Sequence, residues 1–188
     1  HFLPFCSTVP ESAVQIQASG KLPENGDVIM IGSRTSNPLI AAYNLPDSIK
    51  LDTNESFRIR AFRENNRTVT VIEGKDRIGT LYGVYRYLEQ LGMRFYGLGE
   101  TGTIYPNVKN PLPDTLAITV NPSFLTRGFH AWEDRGNNDF FLWMARNHIN
   151  FWTAAEKELH LLKKLGLKCA DGGHFIQLQC LNPKTEYP

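Results

Sequence analysis

The sequence is short of several things, and each shortage excludes something. It has only 3 cysteines, Cys6, Cys169 and Cys180, with no CxxC spacing, so neither a disulfide framework nor a cysteine-based zinc site can be built. Either one bridge forms, Cys169 to Cys180, or all three are buried or idle thiols, and the second reading is favoured. No run of about 18 apolar residues occurs, so no helix is expected to span a membrane. Charge of one sign is also missing: 20 basic and 19 acidic residues leave a net charge of +1, without the basic excess of nucleic-acid binders. No GxGxxG or GKS phosphate loop, HExxH pair or G-x-S-x-G elbow appears, and His130, His148, His160 and His174 lack metal-ligand spacing. No cofactor is expected. The chain begins at His1 with no charged-then-apolar leader before it, which fits a removed signal peptide or a cut chain. We expect an exported protein: periplasmic, cell-surface or secreted. Asn54-Glu55-Ser56 and Asn66-Arg67-Thr68 fit the glycosylation pattern, a match short enough to arise by chance.

What is present reads as an ordinary globular chain with two rhythms. Residues 13–18 (AVQIQA) alternate apolar and polar, as a half-buried strand does. Residues 27–32 (DVIMIG) form a short β-branched run ending on glycine, which predicts a buried strand, and 36–43 (SNPLIAAY) opens with cap residues and proline as a helix does. Residues 56–62 and 68–72 alternate around the turn-forming ENNR and predict a hairpin, with Arg58 and Arg60 on its solvated face. Ile78, Leu81, Tyr85, Leu88 and Leu91 recur at helical spacing over 77–92, and Gly92 is placed to cap that helix. Gly79 and Gly83, four apart, would let it sit close against a sheet. A strand at 94–96, a Gly/Pro/Asn-rich loop and a strand at 115–120 follow, and Asn121-Pro122 marks a boundary.

Beyond it, strand (124–132), helix (138–147), strand (148–153), helix (155–165) and strand (167–170) alternate with short connections, the opening of a parallel α/β structure. The fold class is therefore α/β: residues 1–122 as a small domain with a mixed sheet, and 123–188 as a second, incomplete unit.

Residues Gly74 to Glu100 resemble the small domain that precedes the barrel in family 20 β-N-acetylhexosaminidases and family 67 α-glucuronidases. The resemblance is carried by Gly74, Asp76, Gly79, Tyr82 and Gly83 ("G-x-D-x-x-G-x-x-Y-G") and by Leu91, Gly92 and Arg94 ("L-G-x-R"). Arg127-Gly128 resembles the "R-G" opening barrel strand one in family 20. Residues 138–151 resemble the helix ending in "M-A-x-x-K-x-N", and Gly173-His174 resembles "P-G-H", with Gly172 where proline stands. The resemblance implies three strands and two helices of a (β/α)8 barrel over 123–188, with the rest of the same polypeptide packing on them.

It also implies a carbohydrate substrate and a sugar contact at Arg127, whose planar guanidinium can serve two adjacent hydroxyls. The family's "R-G-x-x-x-D" has Asp where Trp132 stands here. Trp132 either stacks on a pyranose face or packs between strand and helix, and His174 is a further candidate on the C-terminal face. Trp143, inside the helix, is expected in the core. Catalytic carboxylates are expected beyond the third strand. Glu133, Asp134, Glu156 and Asp171 read as loop, dipole or turn residues rather than as acids. Three readings stand: the front of a glycoside hydrolase, a non-catalytic carbohydrate-binding or accessory module, or a structural domain packing on a partner barrel.

Overall fold

The structure is a computed structural model and describes residues 2–18, 20–43, 45, 49–107, 109, 111–129, 137–152 and 159–169. The chain divides into two units, His1–Leu125 and Thr126–Pro188.

In the first unit, a short helix α1 (Leu3–Cys6) precedes β1 (Val28–Gly32), α2 (Pro38–Ala42), β2 (Phe57–Glu64), β3 (Arg67–Gly74), α3 (Arg77–Gln90), the two-residue strands β4 (Arg94–Phe95) and β5 (Thr103–Ile104), and β6 (Leu116–Val120). Four strands make a mixed sheet in the order β1-β3-β2-β6, with β1 parallel to β3 and the other pairs antiparallel. This is an α/β fold.

β3 is buried along nearly its whole length because both its faces are covered. Val69 and Val71 join Val28, Met30 and Ile40 of α2 in one cluster. Ile72, opposite Ile59, meets α3 at Gly83 on the other face.

Turn chemistry explains the connections. Asn65 and Asn66 take φ of 48° and 63° between β2 and β3, the left-handed geometry that two-residue hairpin loops require and Asn tolerates. Asn37 caps α2 by accepting from the Leu39 amide at 3.0 Å, with Pro38 just inside. Gly92, at φ 95°, ends α3, and the next amide, Met93, donates back to Leu88 O at 3.1 Å.

Two sequence expectations fail. Residues 13–18 form no strand: Glu11–Ala13 is a single 3-10 turn, and Ile16 beyond it is 93% exposed. Alternation gives a strand only where a neighbouring edge can pair with it and cover its apolar face, and no such pairing forms here. Arg58 and Arg60 do not occupy a solvated face either. Arg58 is only 8% exposed, and Arg60 donates to Ile118 O and Thr119 Oγ1, each at 2.7 Å. Their strand is central, flanked by β3 and β6, so polar residues on it must find partners in the protein. β4 pairing with β5 was not legible, since two residues carry no period.

Asp76 connects helix to sheet. Its Oδ1 accepts from the Gly79 amide at 2.7 Å and caps α3, while Oδ2 accepts from the Glu55 amide at 2.8 Å just before β2. Glu55 is itself buried, in the left-handed conformation at φ 67°. Replacing Asp76 by Ala removes both acceptors and is expected to cost about 2 kcal/mol in urea unfolding. Asp76→Asn keeps one acceptor but sets its NH2 group against the other amide, so it should recover at most about half of that.

Tyr43, after α2, donates its hydroxyl to Glu64 Oε2 and tilts against Phe62. Desolvation first, then the bond to Glu64 and that carboxylate's charge, push its pKa up to about 12. Because the folded value lies above the ordinary one, the contribution is complete below about pH 10 and disappears as pH rises through about 12. Alkaline titration of tyrosinate absorbance should show a late-ionising phenol that Tyr43→Phe abolishes. Burial raises Tyr87 as well, so one late phenol should persist in that variant.

In the second unit, β7 (Gly128–Phe129), α4 (Asn138–Arg146), β8 (Phe151–Trp152), α5 (Leu159–Leu165) and β9 (Lys168–Cys169) alternate. The three strands are parallel and lie in chain order. Asn137 caps α4 through the Phe140 amide at 2.8 Å. Phe141, Met144 and Ala145 are buried, and Phe140 meets Trp152 edge-on at 5.0 Å. Trp143 is half-buried and stacks on Phe129 and Phe140 at 5.9 and 6.0 Å, an aromatic packing role close to the expected one. Cys6 is buried and Cys169 exposed; Cys180, and with it the bridging question, lies outside the described residues.

Candidate functional site

Of the three sequence-derived contact residues, Arg127 falls among the described residues. Trp132 and His174 lie outside them, as do Glu133, Asp134, Glu156 and Asp171. Arg127 stands one residue before β7, and its main chain is engaged on both sides. Its amide donates to Asn150 Oδ1 at 2.8 Å, and its carbonyl accepts from the amides of Asn150 at 2.8 Å and Phe151 at 3.0 Å. The side chain reaches the same segment: Nε donates to the carbonyl of His148 at 2.8 Å. His148 itself is left-handed, with φ 58°, in the turn joining α4 to β8.

The glycine after Arg127 has a steric reason. A Cβ at Gly128 would sit 2.1 Å from the carbonyl oxygen of Phe151, so β7 and β8 approach too closely there for any side chain. The Arg-Gly pair thus combines a guanidinium fixed in orientation with a backbone pinned to the next strand. Asn150, fully buried, stands at the Asn of the "M-A-x-x-K-x-N" resemblance, which gave it no role of its own. The available signal was a lone Asn inside the apolar run HINFW, since a buried amide must be hydrogen-bonded.

The glycine-and-aspartate motif of the first unit is structural in its contacts. A Cβ at Gly79 would lie 2.2 Å from Ser56 O, and one at Gly74 would lie 2.1 Å from the Thr80 amide nitrogen. A cleft of about 400 Å³ in the same unit includes Asp27, Arg63, Thr68 and Asp114. Asp27 already accepts from the Thr68 amide at 2.7 Å, and Arg63 reaches Thr68 and Asn66 at 3.4–3.5 Å, so much of its polar lining is paired internally. Among the described residues, no group of three or more His, Cys, Asp or Glu could hold a metal ion, and no helix is long and apolar enough to cross a membrane.

What bears on the class of the protein is a match to a glycoside hydrolase family over part of the first unit. More particularly, residues 11–87 match the family described as "Glycosyl hydrolase family 67 N-terminus". That match covers less than half of the chain, from the turn before β1 into α3. It includes Gly74, Asp76, Gly79, Tyr82 and Gly83, and ends before Leu91, Gly92, Arg94 and the second unit. A comparison with curated proteins gave no match.

Proposed function

We propose that this chain is the N-terminal portion of an exported carbohydrate-active enzyme that hydrolyses glycosidic bonds, with its catalytic carboxylates outside residues 1–188. The observation that carries this reading is the family 67 N-terminal match over residues 11–87. The parallel order β7-β8-β9, with α4 and α5 between the strands, supports reading residues 123–188 as the first units of a (β/α)8 barrel.

In this reading Arg127 contacts sugar hydroxyls, Trp132 offers a flat apolar platform to a pyranose, and His174 faces the ligand after strand three. The bond from Arg127 Nε to the His148 carbonyl favours such a role, because a guanidinium already held in one plane loses less freedom on binding.

The 188-residue chain should show no turnover of aryl glycosides above buffer. Sustained turnover abolished by changing one of its own carboxylates overturns the placement of the acids elsewhere. In the complete protein, Arg127→Ala should weaken oligosaccharide binding by roughly tenfold to a hundredfold, the worth of a charge-assisted hydrogen bond. Unchanged affinity, measured by calorimetry, removes Arg127 from the site. A reading frame that stops directly after Pro188 leaves a carbohydrate-binding or accessory module instead of an enzyme.

A further inference from the structure

We infer that Asn150 is a positioning residue: it locks the entrances of three parallel strands in register and thereby fixes the guanidinium of Arg127. The hydrogen bonds converge on this one residue. Its amide donates to Arg127 O at 2.8 Å, its carbonyl accepts from the Lys168 amide at 2.8 Å, and its Oδ1 accepts from the Arg127 amide at 2.8 Å. The backbone bonds are those expected where adjacent parallel strands begin. The side-chain bond is additional. Arg127 precedes the paired residues of β7, so Asn150 Oδ1 supplies its amide with the acceptor that the ladder there does not.

Asn150 is 0% exposed, which makes the arrangement stringent: water cannot replace a lost acceptor cheaply in a site without solvent. Two residues earlier in the chain, His148 holds the left-handed conformation that directs its carbonyl to Arg127 Nε. The turn from His148 to Asn150 therefore grips Arg127 twice, at the side-chain Nε and at the backbone amide. Register in a parallel sheet fixes which residues arrive together at the far end of the strands, and a one-residue slip inverts every side chain. The functional half of this inference, that a sugar contact is what Asn150 positions, rests on the reading of Arg127 given above. The lock itself does not.

Two measurements on the 15N-labelled chain test it without any sugar. In the wild-type protein, the Arg127 amide should exchange with deuterium as slowly as the amides of Phe151 and Lys168; exchange at the rate of an unbonded amide overturns the lock. The Arg127 Nε–H resonance, assigned by its disappearance in Arg127→Lys, should be retained in Asn150→Asp and should exchange at least tenfold faster in Asn150→Leu. An unchanged Nε–H in a folded Asn150→Leu protein overturns the positioning role. If Asn150→Leu instead leaves the second unit unfolded, the wild-type exchange rates and Asn150→Asp decide the matter. Failure of Arg127→Ala to affect sugar binding would leave both NMR results standing, so the two readings fail separately.

Discussion

Gly79→Ala should lower the stability of the first unit by about 3 kcal/mol, a fall of roughly 10 °C in melting temperature. Two effects compete. In an exposed helix interior, Gly to Ala gains about 1 kcal/mol through propensity and reduced unfolded-state entropy. Here the new methyl would lie 2.2 Å from Ser56 O and 3.1 Å from the Glu55 and Ser56 carbonyl carbons. Those are backbone atoms at the entrance of β2, held in turn by the Asp76 carboxylate, and no rotamer change can move them aside. The helix must therefore tilt or lift off Phe57 and Ile72, and the clash outweighs the propensity gain.

Gly83→Ala provides the control. Its Cβ would be 2.9 Å from Ile72 Cγ2, a side-chain methyl rather than backbone, and 3.4 Å, an ordinary contact, from Phe57 side-chain atoms, so Ile72 must give way. It should cost about 1 kcal/mol, less than Gly79→Ala, since the propensity gain offsets part of the overpacking against Ile72. Chemical denaturation of both variants checks the ordering. Equal and small losses would mean that α3 does not sit on the sheet as closely as described.

The same residues show how much was legible in advance. Helix α3, its Gly92 cap, the β2–β3 hairpin and the alternation of the second unit were all written in periods and turn residues, which are local signals. The spacing of Gly79 and Gly83 indicated close packing, because only backbone approach requires a missing side chain at helical spacing. Partners brought together from distant parts of the chain were not visible. Arg58 looked solvated because strand alternation reports a face and does not say what covers that face. Residues 13–18 looked like a strand because alternation is also silent on whether an edge is available to pair with. Of the candidate site, Arg127 was proposed from its resemblance to a motif. Asn150 was matched to a motif position but given no role, because that role depends on Arg127, 23 residues away in the chain. The family match ends at residue 87, inside α3, so the second unit is read from its own geometry and from motif resemblance.

Glu73 carries the other large expected effect. It stands directly opposite Arg58 on the neighbouring strand, and both are buried, at 3% and 8% exposure. Arg34, from the loop after β1, donates through Nε to Glu73 Oε1 at 2.9 Å, and Arg58 Nε lies 3.3 Å from Oε2, an ion pair rather than an aligned hydrogen bond. One carboxylate thus faces two guanidinium groups, only one of which reaches water: the Arg34 side chain is 45% exposed and that of Arg58 10%. Glu73→Gln keeps the shape and removes the charge, so the buried Arg58 guanidinium loses its ion pair with Glu73. The expected cost is about 2–3 kcal/mol, that of losing a charged partner in a buried site. Arg34→Ala should cost under about 1 kcal/mol, because an exposed partner is already screened by solvent. The double variant Arg58→Met, Glu73→Leu removes both buried charges and fills similar volume, and should recover most of the loss. Urea unfolding of the four proteins, wild type included, separates the possibilities. If Glu73→Gln and Arg34→Ala cost the same, then Arg58 finds its compensation elsewhere and the strand pair does not depend on Glu73. If the double variant is as unstable as Glu73→Gln, the carboxylate does more than neutralise Arg58, and its bond to Arg34 is what holds the loop after β1 onto the end of β3.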